Sequence, residues 1–248
     1  MKTTENTILI TGGNAGIGLS FAERFVKEGN KVIICGRNKE KLESVKRQYP
    51  KIETEVCDIS VEDERISLID RILNKCPEIN VLVNNAGVQQ RFNFQKSPQP
   101  WSYYQQEIAT NLEAPIHLIS LLLPHFSQQE YAAILNVSSG LAFAPMAAAP
   151  IYCATKAALH SFTISLRYQL ADSNIEVVEI VPPMVDTSLG GAGLHVNAVT
   201  PEEFTEGIFK GLKENKTEIG YGTSLQSISL SREGSDQVTA MLNKMIPY

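Results

Sequence analysis

The sequence predicts an α/β fold: a doubly wound parallel sheet with helices on both faces, built as a single domain over residues 1–248. Three observations carry that expectation. Short apolar runs alternate with longer helical patterns through six strands, the signature of a parallel sheet with crossover helices. A glycine-rich turn separates the first strand from the first helix. The chemistry-bearing motifs follow strands one, four, five and six, at the carboxyl ends where such sheets bind ligands.

The first strand is expected at 7–11, where TILIT is apolar without alternation, as in a strand buried on both faces. A helical pattern over 16–28 stops at Gly29, a plausible capping glycine. Strand two is KVIIC at 31–35, and the charged helix over 39–48 ends before Pro50. Strand three is placed at 52–56. Ser60 is placed as the N-cap of a helix over 61–75, supported by Asp63. Strand four is VLVN at 81–84. One long helix is expected over 101–126, bent at Pro115. Strand five (133–138) leads through an alanine-rich loop to a long helix over 152–171. Strand six is 176–181. Beyond Pro182 the pattern weakens, with helices expected over 201–213 and 237–245.

With 43% hydrophobic and 20% charged residues, a core for one domain is available. A net charge of −5 argues against nucleic acid as a main partner. Cys35, Cys57, Cys76 and Cys153 form no C-x-x-C pair and match no zinc spacing, so no metal is expected. Cys35 and Cys57 lie in apolar runs and read as buried thiols, which suits a reducing compartment. The N-terminal residues lack the apolar core of a signal peptide, and no run approaches the ~18 apolar residues of a membrane span. A cytoplasmic protein with no membrane span is therefore expected.

The turn TGGNAGIG at 11–18 is built to take a dinucleotide pyrophosphate. Glycines let the backbone approach closely, and the helix start points bare N–H groups at the phosphates. Gly12, Asn14, Gly16, Ile17 and Gly18 are the expected contacts. Strand two ends Cys35-Gly36-Arg37-Asn38, without the carboxylate that NAD-binding sheets place on the ribose 2′-hydroxyl. Arg37 can bond a 2′-phosphate in a fork, so NADP(H) is expected over NAD(H). Asp58 after strand three is either an acceptor for the adenine amino group or a helix-start carboxylate. Asn85 and Gly87, in Asn84-Asn85-Ala86-Gly87, are further cofactor contacts, and the Asn side chains can hold the turn.

Tyr152 and Lys156 stand one helical turn apart, and Ser139 lies thirteen residues upstream of the tyrosine. A free phenol has a pKa of about 10, and a fixed ammonium beside it draws that value down. Tyr152 is thereby cast as the acid/base and Ser139 as the donor to a substrate carbonyl oxygen. Asn111, unfavourable inside a helix by propensity, is expected to hold a water or Lys156. A Ser-His-Asp triad does not compete, because neither Ser138 nor Ser139 lies in a G-x-S-x-G elbow.

On these residues, with Pro182-Pro183-Met184-Val185-Asp186-Thr187, the chain resembles the short-chain dehydrogenase/reductase family in its one-domain, Rossmann-like form. The resemblance runs from Thr7 to about Thr187. It implies a carbonyl-orienting Ser139, an acid-base Tyr152 with Lys156 as partner, and a proton-relay Asn111. It also implies that Val185 and Thr187 hold the nicotinamide carboxamide, and that Arg37 occupies an NADP-type position. The Pro182-Pro183 pair departs from the family's usual Pro-Gly. Segments 33–37, 152–162 and 182–187 resemble a bacterial subgroup of short-chain oxidoreductases associated with D-alanylation of lipoteichoic acid.

The implied function is an NADP(H)-dependent interconversion of a small-molecule carbonyl and its alcohol. The alternatives are a dinucleotide sensor with little turnover and an epimerase or dehydratase, which resemble longer chains. The substrate pocket is expected among 140–150, 88–92 and the segment after Thr187. Leu141, Phe143, Met146, Met184, Leu189 and Leu194 would be its apolar lining, with Gln89, Gln90 and Arg91 as polar contacts. His195 reads as an ordinary loop residue. A lid is expected near 188–216, hinged at Gly190-Gly191-Ala192-Gly193. A homodimer or homotetramer is implied through the long helices, with Leu118, Leu121, Leu122, Leu159, Phe162 and Leu166 as candidate surface.

Overall fold

The computed structural model describes residues 1–191, 193–195 and 198–245. In chain order the elements are β1 (Thr7–Thr11), α1 (Gly16–Lys27), β2 (Lys31–Gly36), α2 (Lys39–Gln48), β3 (Ile52–Val56), α3 (Glu62–Lys75) and β4 (Val81–Asn84). There follow α4 (Trp101–Ile108), α5 (Ala114–Phe126), β5 (Ala132–Val137), α6 (Pro150–Gln169), β6 (Ile175–Val181), α7 (Pro201–Lys213), β7 (Glu218–Gly220), α8 (Thr223–Ile228) and α9 (Arg232–Met245). The strands make one sheet in the order β3-β2-β1-β4-β5-β6-β7, and every pairing is parallel. The order reverses between β1 and β4, so a crevice opens above their carboxyl ends.

Side-chain alternation divides the core into two layers. Ile8, Ile10, Val32 and Ile34 face α1 and α7, where Phe21, Phe25, Phe204 and Phe209 fill the interface. Leu9, Ile33, Leu82 and Ile134 face the opposite way, onto Leu68 and Ile72 of α3 and Leu118 and Leu122 of α5. Each such buried large side chain contributes about 2 kcal/mol of apolar transfer. All four cysteines are buried and free. Among the described residues no helix is long and apolar enough to cross a membrane.

Several local expectations are corrected. Ser60 does not cap α3: its N–H and hydroxyl both donate to Asp58 Oδ1, at 3.0 and 2.7 Å. The helix instead starts after Val61 with no side-chain cap, and Glu62, Asp63 and Glu64 complement the dipole of its first turn. The expected helix over 101–126 is interrupted by a π-helical turn at Ala109–Glu113. Pro115 has no N–H to give to the carbonyl four residues back, and the chain widens just ahead of it. β7 and α8 went unrecognised because three and six residues are too few to show a period.

The expected lid also needs redrawing. α7 is part of the core, with Phe204, Ile208 and Leu212 fully covered, so the span 188–216 contains a packed helix. The Ala192 of the expected hinge lies outside the described residues. Of the six residues considered for an oligomer surface, Leu118, Leu122, Leu159 and Leu166 are buried within the single chain.

Candidate active site

The β1–α1 turn forms a tight cradle. Gly12 has φ +64°, and a Cβ there would stand 2.9 Å from the Ala86 backbone. A Cβ on Gly18 would lie 2.4 Å from both Asn85 Nδ2 and Gly12 O. The start of α1 has no side-chain cap and no acidic residue in its first turn. Its N–H groups are left for an anion, so the cradle fits a dinucleotide pyrophosphate. Asn85 Nδ2 donates to Thr11 O at 2.9 Å, and the N–H groups of Asn85 and Ala86 both donate to Thr11 Oγ1 at 3.0 Å. Asn85 thus braces the turn from β4.

The other expected cofactor residues ring the same crevice. Asn14 covers Gly36 at the end of β2. Arg37 is half exposed, 3.7 Å from Asp58. Ile17 packs partly against the core. Val185 is buried and pairs with Val199 in an isolated bridge. Thr187 lies over Gly16, and His195 Nδ1 sits 3.3 Å from the Thr187 carbonyl, so that histidine helps hold the returning segment. A Cβ added at Gly87 would be 3.4 Å from Asn111 Oδ1 and 3.7 Å from Lys156 Nζ.

β5 and α6 deliver the chemistry. Ser139 follows β5 in an extended conformation, and its Oγ accepts from Leu141 N–H at 3.1 Å. Its hydroxyl lies close enough to the Tyr152 phenol to act on it. Tyr152 and Lys156 are 5% and 3% exposed, so both sit almost out of contact with bulk water. Lys156 Nζ donates to Val137 O at 2.8 Å and lies 5.7 Å from the centre of the tyrosine ring. Burial raises the Tyr152 pKa, and the neighbouring Ser139 side chain opposes that rise. Burial lowers the Lys156 ammonium to about 8, against the opposing charges of Glu107 and Glu179. Burial is the largest influence on the phenol, and one donor of the Lys156 ammonium is taken by the Val137 carbonyl.

Asn111 sits in the π turn, fully buried. Its Oδ1 accepts from Val88 N–H at 2.9 Å, and its Nδ2 donates to Val88 O at 2.8 Å and Thr155 Oγ1 at 3.2 Å. The side chain is a clamp on the loop after β4.

A scan against family models matches the short chain dehydrogenase family over residues 6–195. The chain belongs to the short-chain dehydrogenase family. An uncharacterized oxidoreductase DltE of Bacillus subtilis is 48% identical over 224 residues, covering 88% of this chain and 89% of that one. A short-chain dehydrogenase from Sphingobium yanoikuyae, solved in complex with NADPH, superposes with TM-score 0.81 at 25% identity, covering 90% and 91% of the two chains. A 3-ketoacyl-(acyl-carrier-protein) reductase from Brucella melitensis, complexed with NADH, gives TM-score 0.80 at 26% identity over 90% and 100%.

In this short-chain dehydrogenase the pocket lining differs in part from the expected set. Leu141, Met146 and Leu189 pack around Tyr152, whereas Phe143 turns away onto the His160 ring with centroids 4.6 Å apart. Met184 and Leu194 are exposed. The Pro182 carbonyl accepts from Gly140 N–H at 3.0 Å, so the Pro-Pro segment supports the serine corner. From α9, Asn243 bonds Ala147 and Pro145, and Ser235 bonds Phe143 O, fastening the loop before α6.

Two groups went unnoticed in the sequence. Glu107 is fully buried, and burial raises its carboxyl to about 7. Its signal was the spacing of Tyr104, Glu107 and Asn111 along one helical face. The second is Glu179, also fully buried, which accepts from Ser138 Oγ and lies 2.8 Å from His160 Nδ1. Glu218 lies 3.8 Å from the same nitrogen. Ser138 and Ser139 therefore have separate partners, Glu179 for the first and Tyr152 for the second.

Proposed function

We propose that this chain is an NADP(H)-dependent oxidoreductase interconverting a carbonyl and an alcohol, with Tyr152 as acid/base. The observation that carries it is the meeting of the Ser139 and Tyr152 side chains in a buried corner also occupied by Lys156, whose Nζ donates to the Val137 carbonyl. The dinucleotide, when bound, supplies or accepts the hydride. Leu141 N–H occupies a lone pair of Ser139 Oγ, which turns the serine proton toward the phenol and the substrate oxygen. Tyr152 gives its proton to the developing alkoxide, or takes it in the reverse direction. Lys156 holds the end of β5 beneath the phenol, and Asn111 fixes the loop that borders it.

The 2′-phosphate preference rests on Arg37 and on the lack of a carboxylate at the end of β2. The Sphingobium relative's NADPH is consistent with it, and the Brucella relative's NADH makes it a matter for direct measurement. The proposal includes a cytoplasmic location and a homodimer or homotetramer formed through α5 and α6, supported by the family resemblance.

The test is NADPH and NADH consumption against aldehydes, ketones, diketones and quinones, with Tyr152→Phe alongside. Turnover that survives in Tyr152→Phe overturns the acid/base assignment. A folded protein that binds NADPH yet reduces no carbonyl favours a sensor.

A further inference from the structure

Three buried side-chain oxygens, on the segment after β4 and on α4, have no hydrogen-bond partner among the described residues: Gln89 Oε1, Gln90 Oε1 and Glu107 Oε2. A fourth, Asn84 Oδ1, belongs to the sheet, where its own amide donates to Asn136. Leaving a buried polar atom unpaired costs roughly 1–3 kcal/mol, so three on neighbouring elements call for a partner. Glu107 is fully enclosed on α4, and its Oε1 already accepts from Gln90 N–H at 3.1 Å. It stands one helical turn before Asn111, whose amide holds Val88 and Thr155, so it lies where α4 meets both the loop after β4 and α6. Gln89 Oε1 reaches the loop after Thr187, lying 2.8 Å from where a Cβ of Gly190 would be. Leu141, Met146 and Leu189 pack around Tyr152 and are apolar. The surroundings of the tyrosine thus combine hydrocarbon with the unpartnered oxygens.

We propose that Gln89, Gln90 and Glu107 form a polar subsite that binds a hydroxyl or protonated amino group carried next to the substrate carbonyl. The substrates would then be hydroxy- or aminocarbonyl compounds. This rests on the carbonyl-reductase reading and deepens it. A carboxylate serves either donor, but only the ammonium needs its charge. A site built around hydrogen bonds to a donor also discriminates strongly against the analogue lacking it.

The experiment compares kcat/KM for hydroxyacetone, aminoacetone and butanone in the wild type, Glu107→Leu and Glu107→Gln, each first shown to be folded by circular dichroism. The wild type is expected to favour one donor-bearing ketone over butanone by about 10- to 100-fold, the range of a charge-assisted hydrogen bond. In Glu107→Leu that ratio should fall to about unity, mainly through KM. Preference retained in Glu107→Gln identifies a hydroxyl substrate, and preference lost there identifies an amine. No wild-type preference, or an equal loss for all three ketones in Glu107→Leu, overturns the subsite. Thermal shift with NADP⁺ present separates this from the parent reading. 1-Amino-2-propanol or propane-1,2-diol should stabilise the wild type beyond butan-2-ol even if no ketone turns over. Equal shifts for all three alcohols sink the subsite on their own.

Discussion

Asn111 holds Val88 by both ends of its amide, accepting from the Val88 N–H and donating to the Val88 carbonyl. A single side chain in a π turn thereby fixes the loop that carries Gly87 past Lys156. Asn111→Ala removes both bonds and strands two buried backbone groups. A loss of about 2 kcal/mol in urea-denaturation stability is expected, together with at least a tenfold fall in kcat. Asn111→Asp keeps the acceptor, loses the donor and buries a charge, so it should be no more stable than the alanine variant.

Gly18 has no space for a methyl group, because the atoms it would meet include the Gly12 backbone as well as Asn85. Gly18→Ala should cost about 1–3 kcal/mol through overpacking. It should also weaken dinucleotide binding, measured by fluorescence titration, more than Gly29→Ala, where no atom lies within 4 Å of the added carbon.

Arg37 is half exposed beside Asp58 at the end of β2. Arg37→Ala should lower NADPH affinity about 10- to 100-fold and leave NADH affinity within about threefold, since only the 2′-phosphate needs the guanidinium. Equal losses for both cofactors would remove Arg37 from the phosphate site.

His160 faces Glu179 and Glu218, with Arg167 also within electrostatic reach, and the bond to Glu179 raises its pKa. A raised folded-state pKa stabilises the protein fully below the unfolded value of about 6.5, and that stability is lost as pH climbs through the folded value. The stability gap between wild type and His160→Gln should therefore be about 1–3 kcal/mol at pH 6 and shrink by pH 9. A gap that widens toward pH 9 contradicts the assignment.

β1 and β2 were legible because the apolar runs at residues 7–11 and 31–35 are buried on both faces and need no alternation to be seen. The residues around the reacting corner were legible because Ser139, Tyr152 and Lys156 stand at offsets set by one strand end and one helical turn. Electrostatics was not: burial, which decides the direction for Tyr152, is a property of the packed corner and not of the spacing. Glu107 was missed because polar neighbours Gln105 and Gln106 disguise the face it shares with Asn111. The π turn was missed because Pro115 signals a bend without saying which way the backbone yields.

Ser138 and Ser139 are chemically identical neighbours with different partners, one hydroxyl donating to Glu179 and the other facing Tyr152. Inserting one residue in β5 ahead of them would bring Ser138 to the phenol and set Val137 against Glu179, while deleting one would set Gly140 at the phenol and leave it without a hydroxyl. The strand thus works like a reading frame, and its phase against β4 and β6 is held by the paired backbones at Asn84–Asn136 and Val137–Ile180. Point substitutions at the serines test identity, whereas a one-residue frameshift within the strand would test phase.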